Sequence, residues 1–131
     1  MDKSTVLRAF NQILNEFLDE VILLVPDNTD IKKTKIYFET IRGLNPSLVI
    51  KLWYTNIYAP YTTQIDQGDI SFFIEKEYTG DIHALKNNTE VLQGIQRIRE
   101  PIKQMSESNK ATSMTYIQKL SQLSTLFKQY I

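Results

Sequence analysis

The chain has 131 residues with no cysteine, one histidine and four glycines, and its 15 basic residues balance its 15 acidic residues. The lack of cysteine excludes thiol catalysis, cysteine-ligated zinc, iron–sulfur chemistry and a disulfide scaffold. The neutral total argues against a general nucleic-acid-binding domain, although it permits a local basic patch. A chain of this length is expected to fold as one globular domain, without a structural metal.

No targeting or membrane-spanning segment is expected. The first ten residues include Asp2, Lys3 and Arg8 and lack the apolar run of a signal peptide. The longest apolar run, residues 21–26, is far shorter than the roughly 20 residues needed to cross a bilayer. We therefore expect an intracellular protein without a membrane partner.

Two amphipathic helices are predicted in the first third of the chain. Apolar residues recur at three- and four-residue steps over residues 4–24, and Pro26 ends this first helix. The second helix is expected to begin at an N-cap formed by Thr29 or Asp30. Gly43 is predicted to end it as a left-handed C-cap.

The middle of the chain is punctuated by proline and glycine. The Asn-Pro pair at residues 45–46 predicts an N-cap followed by proline at the first position of a third helix. Pro60 is expected to kink this helix or to open a further segment that reaches Gln67. The Gly-Asp pair at residues 68–69 then closes it and caps a short helix over residues 70–76.

The last third of the chain predicts two longer helices after an irregular connection over residues 78–88. One helix covers residues 89–105 and must accommodate Pro101 by kinking or breaking. The other begins near Ser106 or Ser108 and continues to the end. Because no alternating apolar pattern predicts a strand, the expected fold is an all-α, single-domain bundle of five to seven helices.

Motifs that carry chemistry are missing from the sequence. It has no phosphate-binding glycine loop, zinc-protease motif, serine-hydrolase motif or EF-hand loop. The one histidine, His83, lies in the predicted connection, where a solvated side chain is expected rather than a catalytic or metal-binding one. The acids near it match no known metal-loop spacing. We therefore expect no catalytic residue, no cofactor and no metal, and a protein that is not an enzyme.

Charge is divided between two segments of opposite sign. Residues 32–51 hold five basic residues and one acid, a net charge of +4, whereas residues 66–81 hold five acids and one lysine, a net charge of −4. The five basic residues are Lys32, Lys33, Lys35, Arg42 and Lys51. Two ordinary solvated faces would explain this pattern. The functional alternatives are a phosphate-binding patch for nucleic acid and complementary patches that meet between subunits.

Aromatic residues concentrate in the predicted third helix. Trp53, Tyr54, Tyr58 and Tyr61 fall within nine residues, so they cannot all face the core from one helix. Trp53 is predicted to pack in the core. The tyrosines, above all Tyr54 or Tyr58, are predicted to contact a partner, because tyrosine is enriched at protein interfaces.

Two segments of the sequence resemble a known family. They cover residues 45–78 and 99–124 and contain the NP helix start, KLW, PY, GDISFF, REPIKxMSxxNK and YIQxLSxLS. These motifs resemble a family of small proteins from large nucleocytoplasmic DNA viruses that infect algae and other protists. The resemblance implies a viral origin and a location in the host cytoplasm or the virion, and it supplies no catalytic residue.

The leading hypothesis is a non-enzymatic helical interaction module that binds a protein partner or self-associates. It would be a structural or adaptor protein of a large DNA virus, in the virion or the virus factory. The alternative hypothesis is a nucleic-acid-associated protein that uses the basic residues between Lys32 and Lys51.

Overall fold

The computed structural model describes residues 2–75 and 89–130, and every regular element in these residues is helical. The helices are α1 (Lys3–Leu24), α2 (Thr29–Leu44), α3 (Leu48–Trp53), α4 (Thr62–Asp66), α5 (Ser71–Glu75), α6 (Thr89–Lys103) and α7 (Glu107–Lys128). A π-helical turn, Tyr54–Tyr58, and a 3₁₀ turn, Ala59–Tyr61, join α3 to α4 in one continuous run. The predicted all-α bundle is confirmed.

Side-chain caps set the starts of the first two helices. The Asp2 carboxylate accepts a hydrogen bond from the backbone N–H of Thr5 at 2.8 Å, so α1 begins within one residue of its predicted start. At α2 the N-cap is Asn28, whose side-chain oxygen accepts from the N–H three residues later at 3.1 Å. The prediction of Thr29 or Asp30 as this cap is therefore wrong by one or two positions.

The two predicted glycine caps behave differently. Gly43 lies inside α2, and the N–H of Asn45 still donates to the carbonyl four residues back at 2.7 Å, so the predicted left-handed cap at Gly43 is wrong. Gly68 has a φ of 74° and follows α4, as predicted. After it, the Asp69 carboxylate accepts from the N–H of Ser71 at 3.0 Å and starts α5.

The third helix starts two residues later than the Asn-Pro pair predicts. Asn45 ends α2, and the next two residues form a turn before Leu48. The side chain of Ser47 donates to that of Asn45 at 3.4 Å and does not cap α3. Pro46 therefore lies in a turn between two helices and not in the first turn of α3.

The last two helices lie close to their predicted positions. Pro101 lies inside α6, which ends only two residues later. Ser106 caps α7, as predicted, and accepts from the N–H of Asn109 at 3.2 Å. The predicted connection that contains His83 falls in residues 76–88, outside the described residues.

One hydrophobic core collects side chains from all seven helices. The long helices α1 and α7 make the most extensive contact of the bundle. Trp53 is fully buried, as predicted, and its ring meets that of Phe10 edge-on at a centroid distance of 6.2 Å. Phe17 of α1 stacks on Tyr116 of α7 at a centroid distance of 5.1 Å.

Among the described residues, no helix is both long and apolar enough to cross a membrane.

The buried face of α7 includes small polar residues. Two of the apolar residues of this helix, Ala111 and Leu126, are exposed. Ser113, Ser121 and Ser124 are buried instead. These small side chains allow α7 to approach its neighbours closely.

Candidate functional site

The tyrosine-rich segment after α3 departs from regular α-helical geometry. We call residues 54–61 the aromatic turn. The N–H of Ala59 donates to the carbonyl of Tyr54, five residues back. Thr55 and Asn56 donate through their side chains to carbonyls four residues back, at 3.0 and 3.1 Å, and such bonds compete with the α-helical register. Pro60 has no N–H to restore that register. π-helical turns of this kind recur at functional sites.

The three tyrosines predicted to contact a partner are all half-buried and have different neighbours. The Tyr58 hydroxyl donates to the Asp66 carboxylate at 3.2 Å, and burial, reinforced by that carboxylate, raises the pKa of Tyr58. The Tyr61 ring packs against that of Phe72 at a centroid distance of 5.3 Å. Tyr54 instead borders a groove beside α7.

This groove, which we call the aromatic groove, lies between α3, the aromatic turn and the end of α7, and has a volume of about 260 Å³. Its lining residues are Ile50, Lys51, Tyr54, Thr55, Ser124, Phe127 and Lys128. Ile50 and Phe127 are buried and form an apolar floor. Lys51 and Lys128 are exposed, so the groove combines an apolar floor with a cationic rim.

Cations surround the aromatic groove. The Lys128 Nζ lies 5.6 Å from the centroid of the Tyr54 ring, and the Lys3 Nζ, from α1, lies 5.4 Å from that of Phe127. Neither these lysines nor Lys51 form an ion pair with a carboxylate of the described residues. The lining residues that the structure describes include no acidic residue. The groove is therefore positively charged.

A buried polar contact holds the two walls of the groove together. The indole Nε1 of Trp53 donates to the Ser121 Oγ at 3.0 Å. The Ser124 hydroxyl in turn donates to the carbonyl of Ser121 at 2.7 Å. Because both serines are small and buried, α7 lies close enough to α3 for Ser124 and Tyr54 to line the same groove.

Lys35 of the predicted basic patch is already engaged within the molecule. Its ammonium group forms a hydrogen-bonded ion pair with Asp19 of α1 and lies 3.7 Å from Glu39. The hydrogen bond to Asp19 raises the pKa of Lys35. This lysine therefore links α1 to α2 instead of presenting a free charge.

The other basic residues of the patch lie on different surfaces. Lys32 and Lys33 are exposed on α2. Arg42, also on α2, borders a shallow depression that Glu39 shares. Lys51 lines the aromatic groove. The structure thus divides the basic patch that the sequence suggested between α2 and the aromatic groove.

The acidic segment is only partly described. Asp66 accepts from Tyr58, and Asp69 caps α5. The segment from residue 76 onward lies outside the described residues, and so does His83, which follows it. In the residues that are described, no group of three His, Cys, Asp or Glu side chains is arranged to hold a metal ion.

No family model, no curated protein and no solved structure matches this chain.

Of the groove residues, the sequence predicted Tyr54 and Lys51 as contact residues but not Phe127 and Lys128. The buried serines on α7 were a usable signal, because small polar residues on an otherwise apolar stripe mark a close helix contact.

Proposed function

We propose that this protein is a non-enzymatic helical interaction module that binds a protein partner or a second copy of itself through the aromatic groove. The resemblance of its sequence motifs supports a role as a structural or adaptor protein of a large DNA virus. Its place would be the virion or the virus factory in the host cytoplasm. This role requires no catalytic activity.

The observation that carries this proposal is the composition of the aromatic groove. A half-buried tyrosine, a buried phenylalanine and lysines that form no ion pair within the described residues meet at one surface. Aromatic side chains supply much of the affinity of protein interfaces, because they bury a large area with few rotatable bonds. Of the three tyrosines predicted to contact a partner, Tyr54 is the one in the described lining of this groove, so it is the expected anchor.

Sedimentation at several protein and salt concentrations tests the proposal. Replacing Tyr54 by Ala should weaken the complex by about 1–2 kcal/mol or more, with a smaller effect on thermal stability. Ile36→Ala is the matched control, because Ile36 is 63% exposed on α2 and does not line the groove. Native mass spectrometry of purified particles and infected-cell lysate identifies the partner. A chain that is monomeric throughout and has no partner in either sample would contradict the proposal.

A further inference from the structure

We infer that the aromatic groove binds an acidic peptide segment of a protein partner. An apolar side chain of that segment would lie in the groove above the floor formed by Ile50 and Phe127, and flanking carboxylates would meet the lysines of the rim. This inference rests on the proposed function and adds the chemistry of the partner.

Charge complementarity is the first argument. Lys51 and Lys128 line the groove, the Lys3 ammonium lies over the ring of Phe127, and the lining residues that the structure describes include no carboxylate. Two of these lysines lie over aromatic rings, which offer a weaker electrostatic partner than a carboxylate does. An acidic segment would supply the missing counter-charges, and basic segments would be repelled.

The size and lining of the groove are the second argument. Its volume of about 260 Å³ falls below the roughly 300–1,000 Å³ of most small-molecule sites, so it suits one side chain better than a cofactor. The hydroxyl groups of Thr55 and Ser124 already donate to backbone carbonyls. The exposed Thr55 oxygen is therefore available to a ligand as an acceptor, which matches the N–H groups of a peptide.

The rings of the groove are poorly placed for stacking on bases, which argues against single-stranded nucleic acid as the occupant. Phe127 is only 1% exposed, and Lys3 lies over its ring. Tyr54 has Lys128 over its ring and is tilted by 50° against Tyr58 at a centroid distance of 6.2 Å. Base recognition by stacking needs an open aromatic face.

The test is a titration of the ¹⁵N-labelled full chain, followed by amide chemical shifts. The ligand is a short peptide with a central leucine between runs of glutamate. Three comparison ligands are used: the same peptide with glutamine for glutamate, the same peptide with serine for leucine, and an oligothymidine. We expect the acidic leucine peptide to shift the amides of residues 50–55 and 124–128 and to bind most tightly.

Two variants test the two halves of the site. Exchanging both Lys51 and Lys128 for Glu should raise the Kd of the acidic leucine peptide at least about tenfold, or about 1.4 kcal/mol. Thr55→Phe should reduce binding by a similar factor, because the new ring fills the groove while the lysines stay. Lys32→Glu together with Lys33→Glu is the matched control, since both lysines are exposed on α2, and it should preserve groove binding.

Several results would overturn the inference. These are no shifts in the groove, equal binding of the glutamine peptide, tighter binding of oligothymidine, or insensitivity to both groove variants. If these occur while the assembly persists and is weakened by Tyr54→Ala, only the acidic-peptide assignment is wrong. If the assembly is also absent, the proposed function falls with it.

Discussion

At the scale of single residues, the buried hydrogen bond between Trp53 and Ser121 should contribute measurably to stability. Ser121→Ala leaves the buried indole N–H of Trp53 without its acceptor, which should lower the free energy of unfolding by about 1–3 kcal/mol. Thr115→Ala, an exposed position on the same helix, is the control. In a Trp53→Phe background the Ser121→Ala effect should shrink, because no indole is left to satisfy. Urea denaturation measures all four variants, and equal effects in both backgrounds would contradict the contact.

The Asp2 cap makes a second residue-scale prediction, on pH. The hydrogen bonds from Thr5 hold the pKa of the Asp2 carboxyl below 3.8. The ionised cap therefore stabilises α1 above that value, and this stabilisation is lost as the pH falls through the lowered pKa. A carboxyl-detected NMR titration should find the Asp2 midpoint below 3.8. Asp2→Asn keeps a side-chain oxygen that can cap α1, so the free energy of unfolding of this variant should depend less on pH in the acid range. An Asp2 midpoint at or above 3.8 in the wild type would contradict the cap.

At the scale of helices, the two interior glycines should respond to alanine in different ways. Gly43 lies in α2 without a positive φ, and a Cβ there would meet nothing within 4 Å. Gly43→Ala should therefore stabilise the protein by about 0.5–1 kcal/mol. At Gly94 in α6 the same Cβ would lie 3.0 Å from the buried Phe38 ring. That clash should cancel the gain or reverse it.

Thermal unfolding of both alanine variants checks this pair. In a Phe38→Leu background, Gly94→Ala should destabilise the protein less than it does in the wild type. The smaller side chain leaves space for the new methyl group. If Gly43→Ala destabilises the protein, that result would support the left-handed cap that the sequence predicts at this glycine.

The start of a helix could be predicted from sequence only where the capping residue forms its hydrogen bond within the same helix. Ser106 is followed by a polar first turn, and its side chain satisfies an amide three residues on, so α7 was placed correctly. The Asn-Pro pair at residues 45–46 carries the same local signal, but Asn45 bonds back to α2 and ends it. The π-helical turn depends on side-chain bonds to carbonyls and on Pro60 together, and no periodicity of apolar residues predicts it.

At the scale of the whole molecule, the all-α fold could be predicted because helical periodicity is a property of short segments. The aromatic groove could not, because residues 50–55 and 124–128 come from opposite halves of the chain. The net charge of a segment also does not predict a free basic surface, because Lys35 forms an ion pair with Asp19 of another helix. The hydrophobic core joins these distant parts of the chain.

Because one core includes residues from all seven helices, the described parts of the chain should unfold as one unit. The single tryptophan, Trp53, is fully buried and reports tertiary structure, while far-ultraviolet circular dichroism reports helix content. In urea both signals should change at the same midpoint. Phe17→Ala removes a ring that is 1% exposed and stacked on Tyr116, and should lower the free energy of unfolding by about 3–5 kcal/mol.

Both signals should move together in the Phe17→Ala variant, although Phe17 and Trp53 lie on different helices. Leu23→Ala, at a 74% exposed position of the same helix α1, should change the free energy of unfolding by no more than about 0.5 kcal/mol with either signal. Separate midpoints for fluorescence and circular dichroism would show that α1 and α3 unfold independently. In that case the position of α7, and with it the second wall of the aromatic groove, would depend on only part of the core.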